Sequence, residues 1–492
     1  MVKNWFIKRV SGKFADSLAL PLLVAAVMMI CSVVCQHGGV LYWETEARLP
    51  YYLSQGSLPD KIYDSDYLDA GMFQARELSY FFDYLDSRFI AASVRLGHPH
   101  FISLTQYVFL ILISLEFWRF GVRDLKVHRG IVLGVLLLFW TAPSVFWGGA
   151  IFRTSKIGVS LALVVLYRRI FLVLREAENN PDYKLPGRTW LACSGWAWAA
   201  TLFDRQGVFM VGTAVIFLGF QLWGHRQKSL LIFTGAFAFA LALSVAYNHV
   251  AAPALTLALN GYWPDFKYQD LPWPNLAAHP LFFIASALSL YFDTLRFFIG
   301  NPPVWLALAV LAGISGLLWK KWPRAAAGKR LSSGALGFFL SQTVLMWLLI
   351  LLMVLRHAAL LWPDVKRVYY FLPLTSMFAM TLLLAFSRWP ASRISFHKPA
   401  ALFLGVCLAG NLIALPGHRA ILSKGDARKF YDAAPALLQA LGRPQNAPGA
   451  VAPEIATNRV YQFFHDGHFV KYPLLPSAPP PRPRPLPAKK SP

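Results

Sequence analysis

Apolar residues fall along this chain in long unbroken runs, and a run of about 20 is what an α-helix needs to cross the hydrocarbon core of a bilayer. Such runs lie near 17–35, 100–118, 130–147, 157–174, 189–203, 207–223, 229–250, 303–319, 335–355, 368–387 and 400–416. The pattern predicts an all-α membrane protein, a polytopic bundle of about eleven transmembrane helices. No Ala-x-Ala-like cleavage site clearly follows the first run, Leu18 to Val34, which reads as a retained start-transfer anchor.

The polar segments between the runs alternate in charge. The N-terminus (Lys3, Lys8, Arg9, Lys13), Arg119 to Arg129, Arg168 to Arg188, Arg226 to Lys228, Lys320 to Arg330 and Arg388 to Lys398 are basic and share one side if every run crosses once. By the positive-inside rule that side is the cytoplasm, together with residues 1–16. The opposite side receives 36–99, 148–156, 204–206, 251–302, 356–367 and the chain from 417. The first of these loops holds nine acids against five bases, which suits the outer face. The short run Leu281 to Leu290 breaks the alternation if counted as a span, because Lys320 to Arg330 would then lie outside; it reads as a helix at the interface.

Within the first loop, Leu78, Phe81, Phe82, Leu85 and Phe89 recur at helical spacing while Arg76, Asp83 and Ser87 fall on the opposite face. That pattern predicts an amphipathic helix over about 71–94, flat on the membrane. The membrane domain runs over 17–416, a small extracytoplasmic region follows over 417–472, and 473–492 is a Pro-rich tail predicted to be disordered.

Composition agrees with the runs: 56% of the 492 residues are hydrophobic and 14% are charged, where a soluble domain carries about 25% charged residues. The net charge of +23 is distributed as short clusters between apolar runs, so it argues for membrane topology and against a nucleic-acid partner. Cys31, Cys35, Cys193 and Cys407 all fall inside predicted spans, so no disulfide framework is implied and packing is the preferred reading.

The first candidate for chemistry is Tyr42-Trp43-Glu44-Thr45-Glu46-Ala47-Arg48, where the first span leaves the membrane. Carboxylates Glu44 and Glu46 at that height can take a proton from an attacking hydroxyl or bind a metal beside a lipid-borne substrate. A solvated turn with an acid–Arg48 pair explains the same residues. Asp64, Asp66 and Asp69 follow at the density of a cation site or of a helix-capping cluster. Asp69 reads as the cap, and Asp64 and Asp66 stay open, as further candidates for the catalytic carboxylate beside Glu46 and Glu44 and as ligands of a divalent cation such as magnesium or manganese. On the outer face Arg153, Lys156, Arg205, Arg356, His357 and Arg367, with Lys366, are the few cations near helix ends. Together they suit a phosphate or diphosphate at the membrane surface; singly, each suits headgroup contact, and Asp204-Arg205 also reads as an internal ion pair.

No P-loop, dinucleotide fingerprint, HExxH or GxSxG occurs in the chain. Ionisable residues in mid-span, the mark of ion-coupled transport, are almost absent, Arg168 and Arg169 lying near an end.

The layout resembles the GT-C class of integral-membrane glycosyltransferases, similar to the aminoarabinose transferase and protein mannosyltransferase families. Thr45-Glu46-Ala47-Arg48 looks like their acidic motif soon after the first span, with Thr where the class has Asp and Glu44 one residue earlier. Arg367-Val368-Tyr369-Tyr370-Phe371-Leu372-Pro373 is similar to the Arg-x-Tyr-x-Leu-Pro element that opens a late span in those families. The resemblance covers about 20–416 and implies an inverting transferase in a bacterial inner membrane. It would move a sugar from a polyprenyl-phosphate donor to a lipid, glycan or protein acceptor on the extracytoplasmic face. It further implies Glu46 or Glu44 as base and Arg367, Arg153 and Lys156 against the departing phosphate. An O-antigen-type polysaccharide polymerase or ligase, relying on Arg and His, and a transporter or flippase of a lipid-linked solute are the alternatives.

Overall fold

The computed structural model describes residues 18–35, 52, 57–64, 76–95, 104–150, 154–180, 183–224, 228–264, 333–359, 368–387 and 394–423. Glu44, Glu46, Asp66, Asp69, Arg153, Lys366, Arg367, the run at 281–290, the span expected near 303–319 and the chain from 424 lie outside the described residues. So do the side chains of Arg356 and His357, whose backbone is helical.

All regular structure among the described residues is helical. The helices are α1 (Ala19–Cys35), α2 (Leu58–Ile62), α3 (Glu77–Arg95), α4 (Leu104–Trp118), α5 (Arg129–Thr141), α6 (Pro143–Ala150), α7 (Ser155–Asn179), α8 (Gly187–Phe203), α9 (Arg205–Gly224), α10 (Lys228–Ala246), α11 (Ala252–Asn260), α12 (Ser333–Ala359), α13 (Leu372–Ser387) and α14 (Ile394–Ser423). A π-helical turn, Arg119–Asp124, extends α4, and another, Tyr247–Ala251, joins α10 to α11.

Among the described residues, three helical stretches are long and apolar enough to cross a membrane: Leu104–Asp124, Ser155–Asn179 and Leu230–Asn260. Shorter apolar helices cover Ala19–Val34, Arg129–Thr141, Gly337–Leu352, Leu372–Ser387 and Ala400–Pro416. The run at 130–147 is broken where Ala142 turns extended before Pro143, the conformation that a following proline favours. The run at 229–250 goes on helically to Asn260, so its helix is longer than the apolar pattern alone predicts.

At the centre lies α7, whose apolar side chains are almost all buried against α4, α8, α12 and α13. Its Gly158 lets Phe203 of α8 come so near that an added Cβ would stand 2.2 Å from the ring. Large apolar side chains point outward from the peripheral helices, among them Leu23 and Val34 of α1, Phe220 of α9, Phe239 of α10 and Ile413 of α14. A water-facing surface does not carry such a belt; a lipid-facing one does.

Cross-helix contacts sort the helix ends into two groups. At one end Ser32 meets Tyr107, Ser144 meets Thr375, and the starts of α4 and α7 meet α3. At the other, Arg168 and Arg175 of α7 reach the turn at Asp124, and Glu178 accepts from the Gly334 backbone amide in the first turn of α12. The first end carries chain segments that the charge pattern assigns to the outer face.

Candidate functional site

The helix expected over 71–94 is described from Glu77 to Arg95, and its two faces are disposed against the usual rule for a globular protein. Its polar side is inside. Arg76, Ser79, Asp83, Asp86 and Ser87 are buried, while Leu85 and Phe89 are 42% and 39% exposed. The polar residues seen on one face in the sequence lie on the protein, Leu78 and Phe82 pack at the edge of the core, Phe82 against Phe109 and Phe203, and Leu85 and Phe89 turn outward, as at a lipid interface.

Two carboxylates one turn apart on α3 seat the starts of two long helices. Asp83 Oδ1 accepts from the Thr154 backbone N–H at 2.8 Å and from its hydroxyl at 2.6 Å, and Thr154 is the N-cap of α7. Asp86 Oδ1 likewise accepts from the Thr105 N–H at 2.9 Å and its hydroxyl at 2.7 Å, in the first turn of α4. Backbone donors at a helix start have no intrahelical acceptor, and a carboxylate there also meets the positive end of the helix dipole. Burial nevertheless pushes the Asp86 carboxyl up to about 7, with Asp83 adding to the shift and the Thr105 bonds opposing it.

Beside these ties lies a buried charge cluster. The Lys156 ammonium, in the first turn of α7, is 2.9 Å from Asp204 Oδ2, and Arg76 reaches the same oxygen at 3.3 Å. Both Lys156 and Asp204 side chains are 2% exposed. Asp204 sits in the one-residue link between α8 and α9, where its Oδ1 accepts from the Gln206 N–H at 3.0 Å. Burial opposes its charge, but Arg76 and Lys156 outweigh that and hold the carboxyl well below the usual range. The Tyr370 ring, just before α13, lies 4.7 Å from the Lys156 ammonium. Asp204 thus draws its cations from the first loop and from α7, and Arg205 is exposed at the start of α9. Lys156, expected at a surface, is buried instead because an acid on the neighbouring turn receives it.

A third group joins the segment around α2 to the π-turn before α11 and to the end of α11. Tyr63 and Tyr247 hydroxyls are 2.8 Å apart, with Glu77 acting on both. Asp64 Oδ1 accepts from the Tyr262 hydroxyl at 2.8 Å, and Asn260 Nδ2 donates to the Asp60 carbonyl at 3.3 Å. Burial lowers the Lys61 amine to about 8, against the pull of Asp64. Asp64, open in the sequence between cation ligand and cap, is in the structure a hydrogen-bond acceptor between loops. Among the described residues no three of His, Cys, Asp and Glu converge in the way a metal ion needs.

Compared with protein-family models, with curated proteins and with solved structures, the chain matches none. What it can do is therefore read from its own residues.

Sequence reasoning singled out Lys156, Asp204 and Arg205 but did not bring Arg76, Glu77, Asp83, Asp86 and Tyr370 to them. The available signal was the polar face of the 71–94 helix, whose acids at 83 and 86 and base at 76 are out of place on a helix packed by its apolar side. Glu116 is a lone acid inside the apolar run at 100–118. At the opposite end it pairs with Arg119 and, at 2.9 Å, with Arg168, which also holds Asp124 at 2.6 Å.

Proposed function

We propose that this chain is a GT-C-type membrane glycosyltransferase that moves a sugar from a polyprenyl-phosphate donor to a lipid, glycan or protein acceptor. Its bilayer is a bacterial inner membrane, crossed about eleven times with the N-terminus cytoplasmic and the chemistry on the extracytoplasmic face. The motif resemblance suggests this class. The observation that supports it is the docking of the first-loop helix α3 by its polar face onto the tops of α4 and α7, beside the Arg76–Asp204–Lys156 cluster.

In this reading Glu46, or Glu44, takes the proton from the acceptor hydroxyl as its oxygen bonds to the anomeric carbon. The carbon–oxygen bond to phosphate breaks, its electron pair leaves with the phosphate, and the carbon is inverted. Arg367 and Arg153 meet the departing charge, and Arg205, Arg356 and His357 belong to the same basic outer set. Arg153 directly precedes Thr154 in the chain, and Arg367 stands three residues before Tyr370. Lys156, engaged by Asp204, contributes by holding Asp204 and Tyr370 in place. A divalent cation, magnesium or manganese, would fall to Asp64 and Asp66; the Tyr262 bond already made by Asp64 does not favour it.

The test is transfer from a radiolabelled polyprenyl-phosphate sugar by purified protein in detergent, with Glu46→Gln, Glu44→Gln and Asp64→Asn alongside. Loss of a general base costs about 10²–10⁴ in rate, so one of the two Glu variants should fall at least about 100-fold and Asp64→Asn should stay near wild type. Full activity in both Glu variants would remove the base assignment. No transfer by the wild type across several donors, with solute flux in proteoliposomes, would replace the enzyme with a transporter.

A further inference from the structure

The polar face of α3 is fastened to the bundle by acids, and one of them is held in an unusual state. Asp86 is 2% exposed. Its Oδ1 takes both Thr105 bonds, and its Oδ2 is buried with no hydrogen-bond partner among the described residues. A carboxylate in that position would leave a charged oxygen unsolvated, whereas a neutral carboxyl leaves only an O–H. Its acidic neighbour is Asp83, one turn earlier on the same helix and also buried. The elements packed on α3 bring Thr105 and Gln106 from α4, Thr154 and Lys156 from α7, Lys61 from α2, and Asp204 from the end of α8. Of these, Lys156 is engaged by Asp204 and Thr154 by Asp83, and among the described residues no cation, Lys61 included, is paired with Asp86.

We propose that α3 is a proton-held strap: it stays docked on α4 and α7 while Asp86 carries its proton, and it loosens as Asp86 ionises, uncovering the Arg76–Asp204–Lys156 cluster. The inference is independent of the transferase reading, because it concerns how the cluster is covered and not what reacts there. Its direction follows from linkage. A carboxyl raised to about 7 in the docked state, against about 3.9 when exposed, favours docking at low pH. That advantage is lost as pH rises from about 4 to about 7 and is constant above. Over the upper two units of that range the opening equilibrium rises by about 50-fold. On the extracytoplasmic face such a strap would answer to the pH outside the cell.

The experiment is hydrogen–deuterium exchange of the full-length protein in nanodiscs at pH 5, 6, 7 and 8, each rate corrected for the intrinsic pH dependence of amide exchange. Protection of amides in α3 should fall by about 50-fold between pH 5 and 7 and then level off. Amides in the second half of α13, where Leu383 lies by Gly121 at the end of the bundle away from the strap, should not follow. In Asp86→Asn the α3 protection should be flat with pH. In Asp83→Asn, which removes the acidic neighbour, the fall should level off at a lower pH, and this variant carries the test if Asp86→Asn does not fold. Unchanged wild-type protection between pH 5 and 7, an equal fall in Asp86→Asn, or an equal fall in α13 would each overturn the strap.

Discussion

Two cations converge on one oxygen of Asp204, and that single carboxylate decides whether Arg76 and Lys156 can stay buried. Removing one member of a buried pair leaves the other charge without compensation, at a cost of about 3–5 kcal/mol. Asp204→Asn should therefore destabilise the protein by that order, read as a lowered melting temperature in detergent. Asp204→Asn combined with Lys156→Met should recover part of the loss, because one stranded cation is gone. The two acids of the site also have opposite pH signatures. Asp204, held low, contributes stability that is present above about pH 4 and is lost only as strong acid protonates it. Asp86, held high, contributes most in acid and loses its contribution as pH rises toward about 7. Asp86→Asn should accordingly raise the melting temperature relative to wild type at pH 8 and leave little difference at pH 5.

At the scale of the helix, the tight link between α8 and α9 explains how Asp204 reaches its partners. Gly207 lies against the end of α8 so closely that a Cβ there would stand 2.0 Å from the Ala200 carbonyl oxygen. Backbone cannot yield by that amount, so Gly207→Ala should open the hairpin, displace Asp204 and lower the melting temperature by as much as Asp204→Asn does. Gly195→Ala, with nothing within 4 Å of its Cβ, is the control and should be near neutral. This hairpin was legible: the runs at 189–203 and 207–223 and the turn between them match α8 and α9 within two residues at each of the three ends other than that of α9 at Gly224, which agrees within one. Long apolar runs locate helices well because lipid solvation imposes one pattern on a whole span. The sequence was less informative at Ala142, where a local proline effect interrupts a run, and at Asn260, where helix continues beyond the apolar stretch. The partners of Asp204 were not legible at all. Arg76 is more than a hundred positions away in the chain, and pairing between a loop helix and a distant turn leaves no periodic signal. For α3 the pattern fixed which residues share a face, but not which face turns inward. That depends on whether the outer surroundings are water or lipid.

For the molecule as a whole, the outward apolar belt and the two groups of helix ends point to one arrangement in the bilayer. Phe239 of α10 is 69% exposed, and in lipid that exposure costs nothing. A charge at the same place must enter hydrocarbon, at about 2.5–3.5 kcal/mol for an acid near the centre of a helix. Phe239→Asp should therefore lower the fraction of chain that resists carbonate extraction, while Phe239→Leu should not. Orientation is tested by two exposed positions at opposite ends of the bundle, Ser57 before α2 and Lys184 between α7 and α8. The charge pattern puts residue 57 outside and residue 184 in the cytoplasm. With the four native cysteines replaced by serine, Ser57→Cys should react with a membrane-impermeant maleimide on intact spheroplasts. Lys184→Cys should react only after permeabilisation. Labelling of both from the same side would break the alternation from which every outer-face assignment above is built, whereas the reverse pattern would keep the bundle and invert it, placing the Arg76–Asp204–Lys156 cluster and its strap in the cytoplasm.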